Sequence, residues 1–165
     1  MRFLPGLILL LPLASPIVHA ELIDDVNDRG ELRIALEGNL PPFSFKQQDG
    51  RLTGFDVELG ELLAQELEVH PSILVTDSND VLPGVESGKF DVAINHIALT
   101  PELQDRFDFS EPYLASPTLA IPFQKGNPAF QGSLDKALQR IKADGRLAAL
   151  SEKWRDVRLQ DNKHG

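Results

Sequence analysis

The side chains equipped for chemistry in this chain are few and scattered. Carboxylates stand close together at Asp24-Asp25 and at Asp108 and Glu111, the kind of pairing from which general acids and bases are made. Both pairs read as solvated charge rather than as proton-transfer machinery. The four histidines, His19, His70, His96 and His164, lack metal-ligand spacing. The absence of cysteine excludes a disulfide framework, a thiolate zinc site, a cysteine nucleophile and a lipidated cysteine. No Gly-x-Ser-x-Gly elbow, Walker loop or dinucleotide glycine pattern occurs. The expectation is a non-enzyme, with no metal and no cofactor.

Composition excludes much and identifies little. The chain has 165 residues, 25 acidic against 16 basic, with a formal charge of −9 and a pI near 4.8. Such a charge argues against a nucleic-acid partner and against anionic lipid. A hydrophobic share of 42% indicates a folded chain, and the length suits one domain.

Residues 1–20 have the three parts of a secretory signal. Arg2 supplies the positive end, Leu4 to Leu13 the apolar run, and Val18-His19-Ala20 the small residues of a cleavage site. About ten apolar residues are too few to cross ~30 Å of hydrocarbon, and Pro5, Pro12 and Pro16 break a spanning helix. The expected product begins at Glu21 after cleavage behind Ala20, is periplasmic, and makes no membrane insertion.

The elements that must position any site follow from periodicity. Leu32 to Leu36 alternates as a strand and ends in the turn-prone run Glu37 to Pro42. Asp49-Gly50 predicts a hairpin between Phe43–Lys46 and Leu52–Phe55, with Asp56 capping the next helix. In that helix Phe55, Leu59, Leu62 and Leu63 share one face. Ser72 to Val75 reads as a strand, Asp80 to Ser87 as a helix closed by Gly88, and Asp91 to Asn95 as a buried strand. This alternation predicts an α/β fold with a mostly parallel central sheet flanked by helices. Asn127-Pro128 reads as an N-cap followed by proline. Leu134, Ala137, Leu138 and Ile141 form a helical stripe ended at Asp144-Gly145. Leu147, Leu150 and Trp154 mark a final short helix, and a polar tail follows over 159–165.

Several segments, in order, resemble the family 3 extracellular solute-binding proteins of polar amino-acid ABC transporters. They are Gly30 to Gly38, Pro41 to Phe45, Leu52 to Val57, Ser87 to Val92, Asp108 to Tyr113 and Lys142 to Leu147. Gly30 to Gly38 and Leu150 to Trp154 are most similar to cystine-binding members. The resemblance implies the type II periplasmic binding fold, in which two α/β lobes close on an amino acid and dock on a permease. Asp108 to Tyr113 resembles the way out to the second lobe, and Ile121 to Pro128 already resembles the way back. Only Leu114 to Ala120 lies between them, where on the order of 100 residues of a second domain are expected. The chain therefore reads as lobe one alone, residues 21–158, built from 21–113 and a return over 121–158. One segment must serve both directions, which predicts strain or looseness over 114–126.

The same resemblance implies site positions. The acidic or small residue after the first strand is matched by Glu37. Two aromatic walls fall at Leu40 and Ser78, polar contacts at Asn95 and His96, a hydroxyl at Ala98, and the arginine that clamps the α-carboxylate at Leu103. The chain departs from the pattern at Leu40, Ser78, Ala98 and Leu103. Phe43 reads mainly as packing under the hairpin, with a ligand-facing role second. A guanidinium fork grips a carboxylate through two charge-assisted bonds, and burying the carboxylate without it costs about 3–5 kcal/mol. A closed pocket also covers ~70–90% of its ligand, which one lobe does not.

The reading is thus a periplasmic amino-acid-binding component of an ABC system with an impaired site, its partners a weakly held amino acid and a permease. The alternative is a non-transport interaction module, or a homodimer formed through a cleft face uncovered at Leu40, Pro41, Leu99 and Leu103. An enzyme of the cyclohexadienyl dehydratase type shares the scaffold but needs both lobes.

Overall fold

The structure is a computed structural model. It describes residue 6 and residues 21–161, so the rest of the signal segment and the last four residues of the tail lie outside the described residues. In chain order the elements are α1 (Leu22–Arg29), β1 (Glu31–Leu36), β2 (Asn39–Leu40), β3 (Ser44–Lys46), β4 (Leu52–Thr53), α2 (Phe55–Glu66), β5 (His70–Val75) and α3 (Ser78–Glu86). Then come β6 (Val92–Ala93), α4 (Pro101–Arg106), β7 (Phe107–Phe109), β8 (Leu114–Ala115), β9 (Thr118–Leu119), β10 (Pro122–Gln124), α5 (Pro128–Ala143) and α6 (Arg146–Asp161).

The central sheet is parallel, ordered β5-β1-β6, with Ile34 opposite both Ile73 and Val92. Successive residues of a strand face opposite ways, and β1 uses both faces. Leu32 and Ile34 join a cluster with Leu59 of α2, Leu134 and Ile141 of α5, and Leu147 and Trp154 of α6. Ala35 joins a second cluster with Val81 and Val85 of α3 and Phe107 of β7. The predicted stripe of α5 is completely buried, all four of its residues being 0% exposed. Each such leucine or isoleucine contributes about 1.5–3 kcal/mol through burial.

At the end of the sheet where β6 begins, Asp91 is fully buried and every bond it needs is made. Its Oδ2 accepts from the Arg33 backbone N–H at 2.7 Å and from Arg29 Nη2 at 2.5 Å, and its Oδ1 from Arg33 Nη2 at 3.0 Å. This network locks α1, β1 and the start of β6 together.

Three local expectations are corrected. Asp56 does not cap α2. The N-cap is Gly54, at φ 128°, where a Cβ would stand 2.2 Å from the Phe43 carbonyl oxygen, so only glycine fits. Asn127 does not cap α5 with its side chain. Its Oδ1 accepts the Leu22 N–H at 2.8 Å and so serves the start of α1, while its Nδ2 donates to the Gln124 carbonyl at 2.9 Å. The last helix is not short: α6 has 16 residues and runs past residue 158 into the segment read as tail.

The junction over 114–126 is hydrogen-bonded rather than loose. β7 and β10 run antiparallel, with Phe123 opposite Asp108, and between them β8 and β9 make a small hairpin. Tyr113 N–H donates to the Leu119 carbonyl at 2.9 Å, and Leu99 N–H to the Thr118 carbonyl at 3.0 Å. Tyr113, Leu119, Ile121 and Phe123 are buried. The short segment turns the chain around and seals its own end against the 97–99 loop.

Candidate functional site

In open α/β sheets ligands meet the carboxyl ends of the parallel strands, and two predicted residues meet there. Glu37 follows β1 and Asn95 follows β6. Asn95 Oδ1 accepts the Glu37 backbone N–H at 3.0 Å, and Asn95 Nδ2 donates to Glu37 Oε2 at 2.6 Å. The amide thereby fixes both the backbone and the carboxylate of Glu37. His96, next along, sits at φ 55°, a left-handed backbone that costs a non-glycine residue about 1–2 kcal/mol. Its ring lies 4.1 Å from that of Phe43, which also meets the edge of Phe55 at 6.4 Å. Strain of this kind at a strand end marks a position set by its surroundings.

Ser78, the first residue of α3, lies on the far side of Glu37. Both line an open polar cavity of about 620 Å³ together with Thr76, Asp77, Asn79 and Asp80. Three carboxylates line it and no basic side chain among the described residues does. Leu40 is half-buried and pairs with Ser44 across β2 and β3. Ala98 is exposed and bridges to Leu119 of the junction hairpin.

Leu103 occupies α4, half-buried, and packs against the cluster around Ala35 and Phe107. Thr100 Oγ1 holds its backbone N–H at 3.3 Å, capping the helix. Arg106, one turn on, is committed elsewhere: it pairs with Glu86 at 2.6 Å and lies 5.2 Å from the Phe107 ring centroid. The structure therefore brings Glu37, Phe43, Ser78, Asn95 and His96 around one strand-end rim, and at Leu103, where the resemblance implies a clamp, the side chain is a half-buried leucine. The expected apolar patch is also reduced. Leu40, Leu99 and Leu103 are half-buried and Pro41 is exposed, and among the described residues the exposed large apolar side chain is Val75, at 52%.

Asp56 and Tyr113 carry chemistry that their sequence context hides. Neither oxygen of the Asp56 carboxyl, nor the Tyr113 hydroxyl, has a hydrogen-bond partner among the described residues. Burial pushes the Asp56 carboxyl up to about 8. Burial, and next the charge of Asp56, push the Tyr113 hydroxyl well above its ordinary value. A charged residue flanked by Phe55 and Val57 at a helix start was the available signal, and it is equally the signal of a cap. Among the described residues no group of three or more His, Cys, Asp or Glu is placed to hold a metal ion. No described helix is long and apolar enough to cross a membrane.

The model of the bacterial extracellular solute-binding proteins, family 3, matches residues 32–157. The chain belongs to that family. It is 38% identical over 146 residues to the L-cystine-binding protein TcyJ of Escherichia coli K12, a match over 87% of this chain and 52% of TcyJ. Among solved structures it resembles the arginine-bound form of domain 1 from TmArgBP, with a TM-score of 0.68 and 27% identity over 71% of this chain and 98% of that one. Other relatives are amino-acid-binding proteins for the most part. A cyclohexadienyl dehydratase of Pseudomonas aeruginosa also matches, 30% identical over 122 residues, covering 74% of this chain and 46% of that protein. The family fold is the type II periplasmic binding fold, present here as a single lobe. The chain spans about half the length of the curated relatives it matches.

Proposed function

We propose that the chain is a one-lobe, periplasmic amino-acid-binding component of the polar amino-acid ABC transport class, exported by cleavage after Ala20. In this reading lobe two is absent between Tyr113 and Ile121, and the amino-acid site is retained in part. The observation that carries it is the rim of Glu37, Asn95, His96 and Phe43, ordered by hydrogen bonds and ring contact beside a clamp position filled by a core-packed leucine. The rim can receive an ammonium group or a polar side chain. Among the described residues it has no counter-charge for an α-carboxylate.

The similarity to a domain 1 solved with arginine bound supports ligand capture by one lobe. The acidic cavity beside Glu37 favours a basic or neutral amino acid over an acidic one. The reading is a binding one and includes no catalytic step: burial raises the pKa of Asp56, which is fully buried in the core, and of Asp135, whose Oδ1 is engaged by the Glu111 backbone N–H. A permease is the macromolecular partner. Of the four apolar positions that the homodimer alternative needs, only Pro41 is exposed, so the binding reading is preferred to it.

Calorimetric titration of residues 21–165 with arginine, cystine, glutamine and glutamate tests this. Without the clamp, about 3–5 kcal/mol is missing from a micromolar site, so dissociation constants of about 0.1 mM or weaker are expected. Arginine is expected to bind more tightly than glutamate. Micromolar affinity in a monomer for glutamate would overturn the reading of the rim, and no response to any of the four would overturn the binding role.

A further inference from the structure

A second cavity lies away from the strand-end rim, and its walls have a different character. It measures about 280 Å³, near the lower end of small-molecule sites, which begin around 300 Å³. Phe43, Phe55, Leu114 and Trp154 supply apolar walls, and Ser116, Ser151 and Arg155 the polar ones. Leu114 and Ser116 come from the junction hairpin, so one wall exists because the chain turns back directly after Tyr113. Of the rim positions, only Phe43 borders this cavity.

Its electrostatics are one-sided. Arg155 is the one charged side chain among the described residues lining it. Glu58, the acid bonded to Trp154, is already engaged: it accepts from Trp154 Nε1 at 2.7 Å and from Lys153 Nζ at 2.5 Å. Those two bonds fix the indole plane against the cavity and spend the Lys153 charge on Glu58. What remains is an aromatic slot with a guanidinium and two hydroxyls at its edge.

We propose that this cavity is a ligand site for a small aromatic carboxylate, its ring held among Phe43, Phe55 and Trp154 and its carboxylate on Arg155. Rings pack offset or edge-on against such walls, and guanidinium–carboxylate pairing supplies orientation. The ligand polarity is the reverse of that at the acidic rim, so one lobe presents two sites of opposite charge preference. The site shares Phe43 with the rim but uses none of the rim hydrogen bonds, so it is tested separately from the amino-acid reading.

Trp154 is the only tryptophan in the chain, so its emission reports the cavity directly. The probe is phenylacetate, titrated into residues 21–165 and followed by tryptophan fluorescence and by calorimetry. A saturable emission change is expected, with none for acetate, and phenethylamine is expected to bind at least about tenfold more weakly because its charge is reversed. Arg155→Ala, at an exposed position, is expected to weaken phenylacetate about tenfold while near-ultraviolet circular dichroism stays that of the wild type. Excess arginine is expected not to displace phenylacetate. The site is overturned by no saturable response, by equal binding of phenethylamine, by an unchanged affinity in Arg155→Ala, or by displacement with arginine, which would put the probe at the rim. The amino-acid titrations fail or succeed separately from these.

Discussion

The two ends of the central strand pair are built differently, although only four residues separate them on each strand. At one end Arg33 and Asp91 meet, at the other Glu37 and Asn95. The Asp91 carboxylate is fully buried, and two guanidiniums and a backbone N–H satisfy it. The Glu37 carboxylate is half-buried and has a neutral amide partner, with Asp77 and Asp80 lining the same cavity and no basic side chain among the described residues there. Close by on the core side, Asp56 has lost its water and gained no partner among the described residues. Polar satisfaction is complete where the chain holds its shape and incomplete where it would meet a ligand or the junction, which is where natural folds keep their local exceptions.

Breaking this contrast begins with Asp56, whose effect should be the largest. The unfolded chain releases this proton near the ordinary value of 3.8, and the folded chain keeps it until about 8. The folded state therefore binds more protons between those values, and stability falls as pH rises through that window, by up to about 1.4 kcal/mol per pH unit. Asp56→Asn removes the titration. Urea unfolding at several pH values should show a wild-type-minus-variant difference that declines from pH 4 to pH 8. A flat difference would mean that the carboxyl is solvated or paired after all.

Asp91 should come next. Asp91→Ala leaves Arg29 and Arg33 without their shared acid and strands the Arg33 N–H, and the expected loss is about 3–5 kcal/mol, much of a domain's total stability. A loss below 1 kcal/mol, about what one ordinary hydrogen bond is worth, would erase the distinction between the two ends. Asn95→Ala is the smallest. It should cost only about 1 kcal/mol in thermal or urea unfolding, yet remove the residual amino-acid response, because it frees the Glu37 carboxylate from its fixed position.

Much of this fold was legible from local pattern. The alternation in Leu32 to Leu36, the Asp49-Gly50 hairpin and the Leu134–Ile141 stripe all form as periodicity predicts, because neighbours in sequence settle them. What escaped was decided by distant partners. Asn127 serves Leu22, 105 residues away, and no cap rule reaches that far. Asp56 has the look of a cap, but Gly54 is held so close to the Phe43 carbonyl that the helix starts two residues earlier and carries the carboxyl into the core. The junction was illegible as a hairpin, since β8 and β9 have only two residues each and further bonds come from the distant 97–99 loop. At the rim, the expectation of a missing clamp came from the family resemblance, through Leu103. That Arg106 is tied to Glu86, 20 residues upstream, needed the structure.

The central claim is that the lobe keeps the frame of an amino-acid site and lacks its carboxylate clamp. The direct measurement is a calorimetric comparison of the wild type with Leu103→Arg combined with Ala98→Thr, each titrated with glutamine. The account predicts a weak wild type and a gain of at least about tenfold in the variant, the worth of one charge-assisted bond. Micromolar binding by the wild type, or a folded variant that gains nothing, would contradict it.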